Sequence, residues 1–159
     1  ADREAEEASR LALEYLARAA GRRFLAFVHF MDPDYAGHSA GSDSQEYRQA
    51  ALRCDAALGR IVAWLRTHGL YDSTRLYVTA DHGFDAAAYT HYDAPEVWLA
   101  TNDRAVARGG SQADVPATIL ARLGVDLSKL EPQLLGNPLL RPASATPRKL
   151  EKTAAGAAR

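Results

Sequence analysis

The chain of 159 residues is poor in the features that mark several large classes of protein. Cys54 is the single cysteine, which excludes an intramolecular disulfide, and its place on the apolar side of a helical pattern favours a core role. No apolar run reaches the roughly 20 residues that span a bilayer, and the N-terminus lacks the basic-then-apolar pattern of a signal peptide. The sequence therefore carries no signal for the compartment in which the protein works.

An excess of positive charge is also missing. Nineteen Lys and Arg residues face twenty Asp and Glu residues, which gives a formal net charge of −1 and a pI near 6.6. Nucleic acids and anionic membranes are bound by clustered positive charge, so this balance argues against both and favours a small-molecule substrate. Because the chain begins at Ala1 rather than Met, three interpretations stay open at this point: a mature form, an excised domain or a fragment of a longer protein.

Apolar spacing predicts helices in the parts of the chain that have few breakers. One covers residues 4–20 and stops at Gly21, and a second covers residues 44–68, where Asp43 with Glu46 forms a capping pattern. A third begins at Val115-Pro116 and ends before Gly124. These predictions account for most of the polar, amphipathic sequence.

Short apolar runs rich in β-branched and aromatic residues predict strands over Phe24–Phe30, Thr74–Ala80 and Val97–Ala100. Proline and glycine predict a loop over residues 31–43. Alternating strands and helices indicate an α/β fold with a mostly parallel sheet sandwiched by helices. We expect one domain over residues 1–140 and a disordered tail, rich in Pro, Ala, Ser, Thr and Lys, over residues 141–159.

Carboxylates and imidazoles cluster directly after the predicted strands. In chain order the candidate metal ligands are Asp34, His38, Asp81, His82 and His91. In open α/β sheets ligands bind beyond the carboxyl ends of the strands, so these side chains are expected to meet. Oxygen and imidazole ligands suit zinc, and three protein ligands with an open position describe a catalytic site. The pattern therefore predicts metal-dependent hydrolysis.

Each of these residues taken singly also fits an ordinary polar loop position. The metal site is indicated by the occurrence of all five together. Other polar residues have weaker claims. His29 lies within an apolar strand pattern, and His68 at a helix C-terminus is explained by the helix dipole. Asp32 and Asp85 lie near the candidates without an independent signal of their own.

Three segments together resemble the alkaline phosphatase superfamily. They are Phe27-Val-His-Phe-Met-Asp-Pro-Asp-Tyr-Ala-Gly-His38, Leu76-Tyr-Val-Thr-Ala-Asp-His-Gly-Phe-Asp85, and His91 followed by Ala94-Pro-Glu-Val-Trp-Leu99. Within the superfamily the chain is most similar to type I phosphodiesterases and nucleotide pyrophosphatases. The resemblance extends over residues 15–139 and is specific because the motifs occur in the same order with the same flanking strands.

The resemblance implies two divalent metal ions, most often zinc with manganese as an alternative, and a small-molecule phosphate ester as substrate. Asp34, His38 and His91 would hold one ion, and Asp81 and His82 would contribute to the other. Such enzymes use a Thr or Ser nucleophile, and a further metal-binding Asp, from a segment that precedes the Asp-x-x-Gly-His motif. Here only a helix and one strand precede it, and neither Ser9 nor Ser39 has the required context. The resemblance thus implies a fragment without its nucleophile, with a sheet incomplete on its N-terminal side.

Three alternatives stay open. A phosphomutase similar to cofactor-independent phosphoglycerate mutase shares the Asp-x-x-Gly-His and Ala-Asp-His-Gly motifs. A sulfatase-like hydrolase would require a Cys-x-Pro-x-Arg segment, which this chain does not contain. A metal-binding module that kept the fold and lost the nucleophile would bind an ion without catalysis. Substrate identity and oligomeric state have no signal in the sequence.

Overall fold

The computed structural model describes residues 4–141 and divides the chain into two compact units, Ala1–Asn102 and Asp103–Arg159. The first unit contains helices α1 (Glu4–Ala19), α2 (Asp32–Ala40) and α3 (Gln45–Thr67), a single 3-10 turn (Tyr71–Ser73), and strands β1 (Tyr77–Thr79) and β2 (Leu99–Thr101). The second contains helix α4 (Asp114–Arg122) and a 3-10 turn (Leu127–Lys129). Apart from Arg141, the predicted tail over residues 141–159 lies outside the described residues.

The core of the first unit lies between α1 and α3. Ala12 and Leu16 of α1 pack with Ile61 and Leu65 of α3, because each helix is apolar along one stripe and polar elsewhere. Both helices match the predicted ones to within about two residues. Among residues 4–141, no helix is both long and apolar enough to cross a membrane.

The start of α3 lies one residue later than the capping pattern predicts. Ser44 is the N-cap, and its hydroxyl accepts a hydrogen bond from the backbone N–H of Tyr47 at 3.0 Å. This bond satisfies one of the N–H groups that the first turn of a helix leaves without a partner. Asp43 instead lies just outside the helix, where its carbonyl accepts from the Arg48 side chain.

The predicted loop over residues 31–43 is wrong in its first part, because α2 forms over Asp32–Ala40. Pro33 lies in the first turn of α2, where its missing N–H costs no hydrogen bond and its fixed φ is already helical. Gly37 lies within the helix rather than at a turn. The chain leaves α2 at Gly41, whose φ of +95° is accessible to glycine at little cost.

The α/β class is confirmed, but the described residues do not show the mostly parallel sheet. Residues 4–141 contain one sheet of two strands, in which β1 and β2 run antiparallel and pair Tyr77 with Thr101 and Thr79 with Leu99. A parallel pair needs a crossover of a dozen or more residues, usually a helix. The segment that joins β1 to β2 contains no helix, and it carries Asp81, His82 and His91.

The predicted strand Phe24–Phe30 pairs with no strand among the described residues, and its burial alternates only in part, because Ala26 is exposed as both its neighbours are. Phe24, Val28 and Phe30 pack against the α1–α3 core. Leu25 and Phe27 lie between them in sequence and are 59% and 91% exposed. The apolar pattern that predicted a strand is therefore real, but a strand also requires a neighbouring backbone with which to bond.

The second unit is organised around the carboxylate of Asp114. It accepts hydrogen bonds from the backbone N–H groups of Asn137 at 2.7 Å and Ser111 at 3.0 Å, and it pairs with Arg108 at 3.2 Å. These contacts, the Asn137 bond foremost, hold the pKa of Asp114 below its usual range. The ionised carboxylate therefore ties the start of α4 to two loops of this unit.

Replacing Asp114 with Asn should destabilise the second unit at pH 7 and have progressively less effect at lower pH. The folded-state pKa of Asp114 is depressed. Its carboxylate therefore contributes to the free energy of unfolding above the unfolded-state pKa of about 3.9, and this contribution is lost as the pH falls below that value. Urea unfolding at pH 7 and at pH 3, with hydrogen exchange within residues 103–141 as the probe, measures the loss of stability at each pH. An equal loss of stability at the two pH values would contradict this assignment.

Candidate metal centre

Helix α2 presents Asp34 and His38 on one face. The two residues are four apart, and successive turns of a helix place such side chains next to each other. The distance from His38 Nε2 to Asp34 Oδ1 is 3.4 Å. Ligand atoms around a tetrahedral zinc ion lie about 3.3 to 3.5 Å apart at ordinary bond lengths. The helix therefore gives this pair the spacing that a shared ion requires.

The orientation of the His38 ring is fixed from outside the helix. Its Nδ1 lies 2.7 Å from the backbone carbonyl of Tyr89. A carbonyl can only accept, so Nδ1 carries the proton, and the lone pair of the neutral ring lies on Nε2, which faces Asp34. Ligand histidines are commonly held in this way by a carbonyl on the far side of the ring.

His91 completes a three-residue group. The candidate ligand atoms of Asp34, His38 and His91 all lie within 4.8 Å of one another, and no other such group of three or more occurs among the described residues. His91 reaches the helix from the segment between β1 and β2, which we call the His91 loop (residues 85–93). One carboxylate and two imidazoles therefore converge from two separate parts of the chain.

Asp81 and His82 lie beside this group. His82 Nε2 is 3.7 Å from Asp34 Oδ1 and 3.7 Å from Asp81 Oδ2, and the His82 ring stacks on His91 at 3.8 Å. The Nδ1 atom of His82 lies 2.9 Å from the carbonyl of Gly83, which leaves its Nε2 facing the carboxylates. All five residues predicted from the sequence are thus neighbours, with Asp34 between the two subsets.

The Oδ1 atom of Asp34 shows what the site needs. This oxygen is buried, and no hydrogen bond from a described residue reaches it. Leaving a buried acceptor without a partner costs on the order of 1 to 3 kcal/mol. A cation shared with His38 and His91 would remove that cost, so the residues present fit a divalent metal ion.

Phe84 packs at the centre of the imidazoles. Its ring makes edge contacts with His38, His82 and His91 at centroid distances of 5.2, 6.0 and 5.5 Å. The ring also lies against the backbone of α2 at Gly37, where an added Cβ would come within 2.7 Å of three Phe84 ring carbons. Gly37 is therefore needed because Phe84 approaches closely, a contact that no sequence pattern indicates.

The His91 loop is tied to the end of α2 by Ser42. The Ser42 hydroxyl donates to the carbonyl of Asp85 at 2.8 Å and accepts from the N–H of Ala88 at 3.2 Å, while the Ser42 N–H donates to the carbonyl of Ala88 at 2.9 Å. The loop is therefore held to Ser42, just after α2, by one backbone bond and two bonds of the Ser42 hydroxyl, none of which sequence patterns reveal.

Comparison with known protein families identifies the family of this chain. The family profile described as type I phosphodiesterase / nucleotide pyrophosphatase matches residues 2–133, which is most of the chain. The chain belongs to this family. The sequence resemblance to the alkaline phosphatase superfamily is confirmed by the same match.

Curated relatives cover less of the chain. Mouse ectonucleotide pyrophosphatase/phosphodiesterase family member 7 is 36% identical over 59 residues, 37% of this chain and 13% of that protein. The 2,3-bisphosphoglycerate-independent phosphoglycerate mutase of Roseobacter denitrificans is 33% identical over 116 residues, 66% of this chain and 22% of that protein. The chain thus spans less than a quarter of the length of these relatives. No solved structure matches it.

Other groups considered as candidates in this phosphodiesterase-family chain have structural partners instead. Ser9 is buried, and its hydroxyl donates to the carbonyl of Glu6 and accepts from Arg60. Ser39 is exposed and donates to the carbonyl of Ala36 within its own helix. Burial raises the pKa of the Cys54 thiol to about 11, so the thiolate that a nucleophile needs is disfavoured.

The two histidines to which the sequence analysis gave weaker claims, His68 and His29, lie outside the group of candidate ligands. His68 stacks on Trp64 at 4.0 Å at the end of α3, in agreement with a local role. His29 is exposed beside Phe27. Asp32, on the other hand, is 4% exposed with its Oδ1 3.6 Å from Arg53 Nε, so its buried carboxylate forms an ion pair between α2 and α3 with the partly exposed Arg53.

Replacing Gly37 with Ala should destabilise the first unit by about 1 to 3 kcal/mol, since the new methyl group displaces Phe84 and, with it, the imidazoles that Phe84 contacts. Gly59 offers a matched control within α3, where a Cβ meets nothing within 4 Å. Gly59→Ala should stabilise by about 0.5 to 1 kcal/mol. Urea denaturation of the two variants measures both changes, and equal effects of the same sign would show that Phe84 does not constrain Gly37.

Proposed function

We propose that this chain carries the metal-binding part of the active site of a hydrolase that cleaves phosphate esters of small molecules. The observation that carries the proposal is the convergence of Asp34, His38 and His91 to within 4.8 Å, with the two ring nitrogens of His38 already assigned by the Tyr89 carbonyl. The match to a phosphodiesterase and pyrophosphatase family over most of the chain supports the same reaction class.

In this proposal Asp34, His38 and His91 hold one divalent ion, and Asp81 and His82 contribute to a second. Zinc is the expected metal, because the donor set is one carboxylate with imidazoles, and manganese is the alternative. Divalent ions in such a site neutralise charge on the phosphoryl group and stabilise the attacking and leaving oxygens of an in-line displacement. Asp34 lies within 4 Å of both His38 and His82, so its carboxylate is placed to couple the two positions.

In this proposal the residues of this chain orient the metal-binding side chains rather than transfer protons. The Tyr89 and Gly83 carbonyls fix which nitrogen of His38 and His82 faces the site, so neither ring has to reorient when an ion binds. The Phe84 ring packs edge-on against the rings of His38 and His82. Substrate would approach from the open side, where the Asp81 side chain is 77% exposed.

We also infer that the protein is completed by polypeptide related to the remainder of its longer relatives. In that arrangement segment 24–30 is a strand of the predicted mostly parallel sheet. The outward side chains Leu25 and Phe27 are apolar and largely exposed, as a strand covered on both faces would leave them when uncovered. The relatives also extend well beyond the region that this chain matches. The nucleophile is expected in that additional part.

Zinc titration of the metal-free chain should show tight binding that His38→Ala and His91→Ala each weaken by more than about 100-fold, since loss of a direct ligand exceeds the 10- to 100-fold cost of losing an outer-shell partner. His68→Ala is the matched control, because the His68 side chain lies at the end of α3, where it contacts Trp64 and Thr67. Isothermal titration calorimetry measures the affinities. Failure of the wild-type chain to bind zinc or manganese would overturn the proposal.

Hydrolysis separates the complete enzyme from the isolated metal site. With zinc or manganese present, this chain should hydrolyse bis(p-nitrophenyl) phosphate near the buffer rate, because ions without a positioned nucleophile retain only part of the catalytic effect. A longer polypeptide that contains the chain should hydrolyse the diester faster than p-nitrophenyl phosphate or p-nitrophenyl sulfate. A preference for the sulfate, or rapid metal-dependent turnover by the isolated chain, would contradict this assignment.

A further inference from the structure

The carboxylate of Asp85 gathers the backbone on both sides of His91. Its Oδ2 accepts hydrogen bonds from the Thr90 hydroxyl at 2.8 Å and from the Tyr92 N–H at 3.1 Å, and its Oδ1 accepts from the Asp93 N–H at 2.9 Å. The residues immediately before and after His91 are thus bound to one side chain. A loop held at both neighbours of a residue leaves that residue little freedom to change direction.

The position of Asp85 itself is fixed by the rest of the site. Its N–H donates to the carbonyl of Thr90 at 2.9 Å, and its carbonyl accepts from the Ser42 hydroxyl at the end of α2. The Asp85 backbone is therefore anchored to Ser42, just after the helix that carries Asp34 and His38. The carboxylate holds Thr90, Tyr92 and Asp93 to this anchored residue, so the distance of His91 from the helix depends on it.

We propose that Asp85 is a positioning residue for the metal site: it holds His91 at the distance from Asp34 and His38 that a shared ion requires, without itself binding the ion. The inference rests on the proposed function, because it assigns a role in a site whose metal binding is itself proposed. It assigns a role to a residue for which the sequence gives no independent signal.

The chemistry of the contacts supports this role. The Thr90 hydroxyl bond, followed by the backbone bonds from Asp93 and Tyr92, holds the pKa of Asp85 below its usual range, so both oxygens are acceptors at neutral pH. Hydrogen bonds to an ionised acceptor are about twice as strong as neutral ones. An Asn at this position would keep one acceptor oxygen and direct an NH₂ group at backbone donors, so it cannot reproduce the arrangement.

A purely local role for Asp85, in which it stabilises a turn with no effect on the ligands, makes a different prediction. It would lower the stability of the chain without changing metal affinity, or it would change affinity regardless of whether His91 is present. A double-mutant cycle between Asp85 and His91 distinguishes these cases, since coupling appears only if one residue acts through the other.

The experiment is a zinc titration of the whole chain by calorimetry, repeated with Co²⁺, whose visible absorption reports the number and type of ligands. Asp85→Ala should weaken zinc binding by about 10- to 100-fold, the range typical of outer-shell partners, and Asp85→Asn should fall between Ala and wild type. The Co²⁺ spectrum of Asp85→Ala should approach that of His91→Ala. In the His91→Ala background, Asp85→Ala should produce no further loss.

Asp126→Ala is the matched control. Asp126 is also a loop aspartate that accepts a backbone and a hydroxyl hydrogen bond, both from Ser128, but it lies in the second unit. It should leave the zinc affinity and the Co²⁺ spectrum unchanged. Circular dichroism of every variant verifies that the helices are retained.

The outcomes separate the two proposals. If the wild-type chain binds neither ion, the proposed function fails and this inference fails with it. If the wild type binds and Asp85→Ala binds equally well, the metal site stands and the positioning role is overturned. An equal further loss from Asp85→Ala in the His91→Ala background would also overturn it, since the effect would then not pass through His91.

Discussion

The contact between the Phe84 ring and the backbone of Gly37 is the constraint on which the site depends. It brings a loop residue against a helix at a distance that only glycine allows, and the ring then touches the imidazoles of His38, His82 and His91. Protein interiors are closely packed, so a displacement of the Phe84 ring would also displace the side chains that it contacts. The positions of candidate ligands from separate segments are thereby linked to one apolar contact.

The residues of the candidate site were easier to predict than the contacts that position them. Asp34, His38 and His91 were predicted because carboxylates and imidazoles followed apolar runs in a family-like order, and the structure brings them together. Their local geometry was predicted less well. Pro33 and Gly37 suggested a loop, whereas one fits the first turn of α2 and the other accommodates Phe84. A glycine required by packing cannot be told from a glycine required by a turn in one sequence alone.

Features that depend on partners distant in the chain were beyond sequence reasoning. The Tyr89 carbonyl that orients His38 is a backbone atom, and backbone atoms leave no mark in residue patterns. Strand pairing has the same property, which is why the short apolar, aromatic-rich run of residues 24–30 indicated a strand that has no partner among the described residues. The α1 and α3 helices, whose apolar periodicity is local, were predicted nearly to the residue.

Asp34 and His38 belong to one short helix, whereas His91 arrives from much later in the chain, and this asymmetry has a consequence for folding. The helical pair exists as soon as α2 forms, but an ion that also bound His91 would close a long loop of polypeptide. In the chain-entropy treatment of cross-links, a closure of that size is worth about 4 kcal/mol to the folded state. In a chain whose single cysteine excludes an internal disulfide, the ion would act as the cross-link, so metal affinity would be a direct measure of tertiary order.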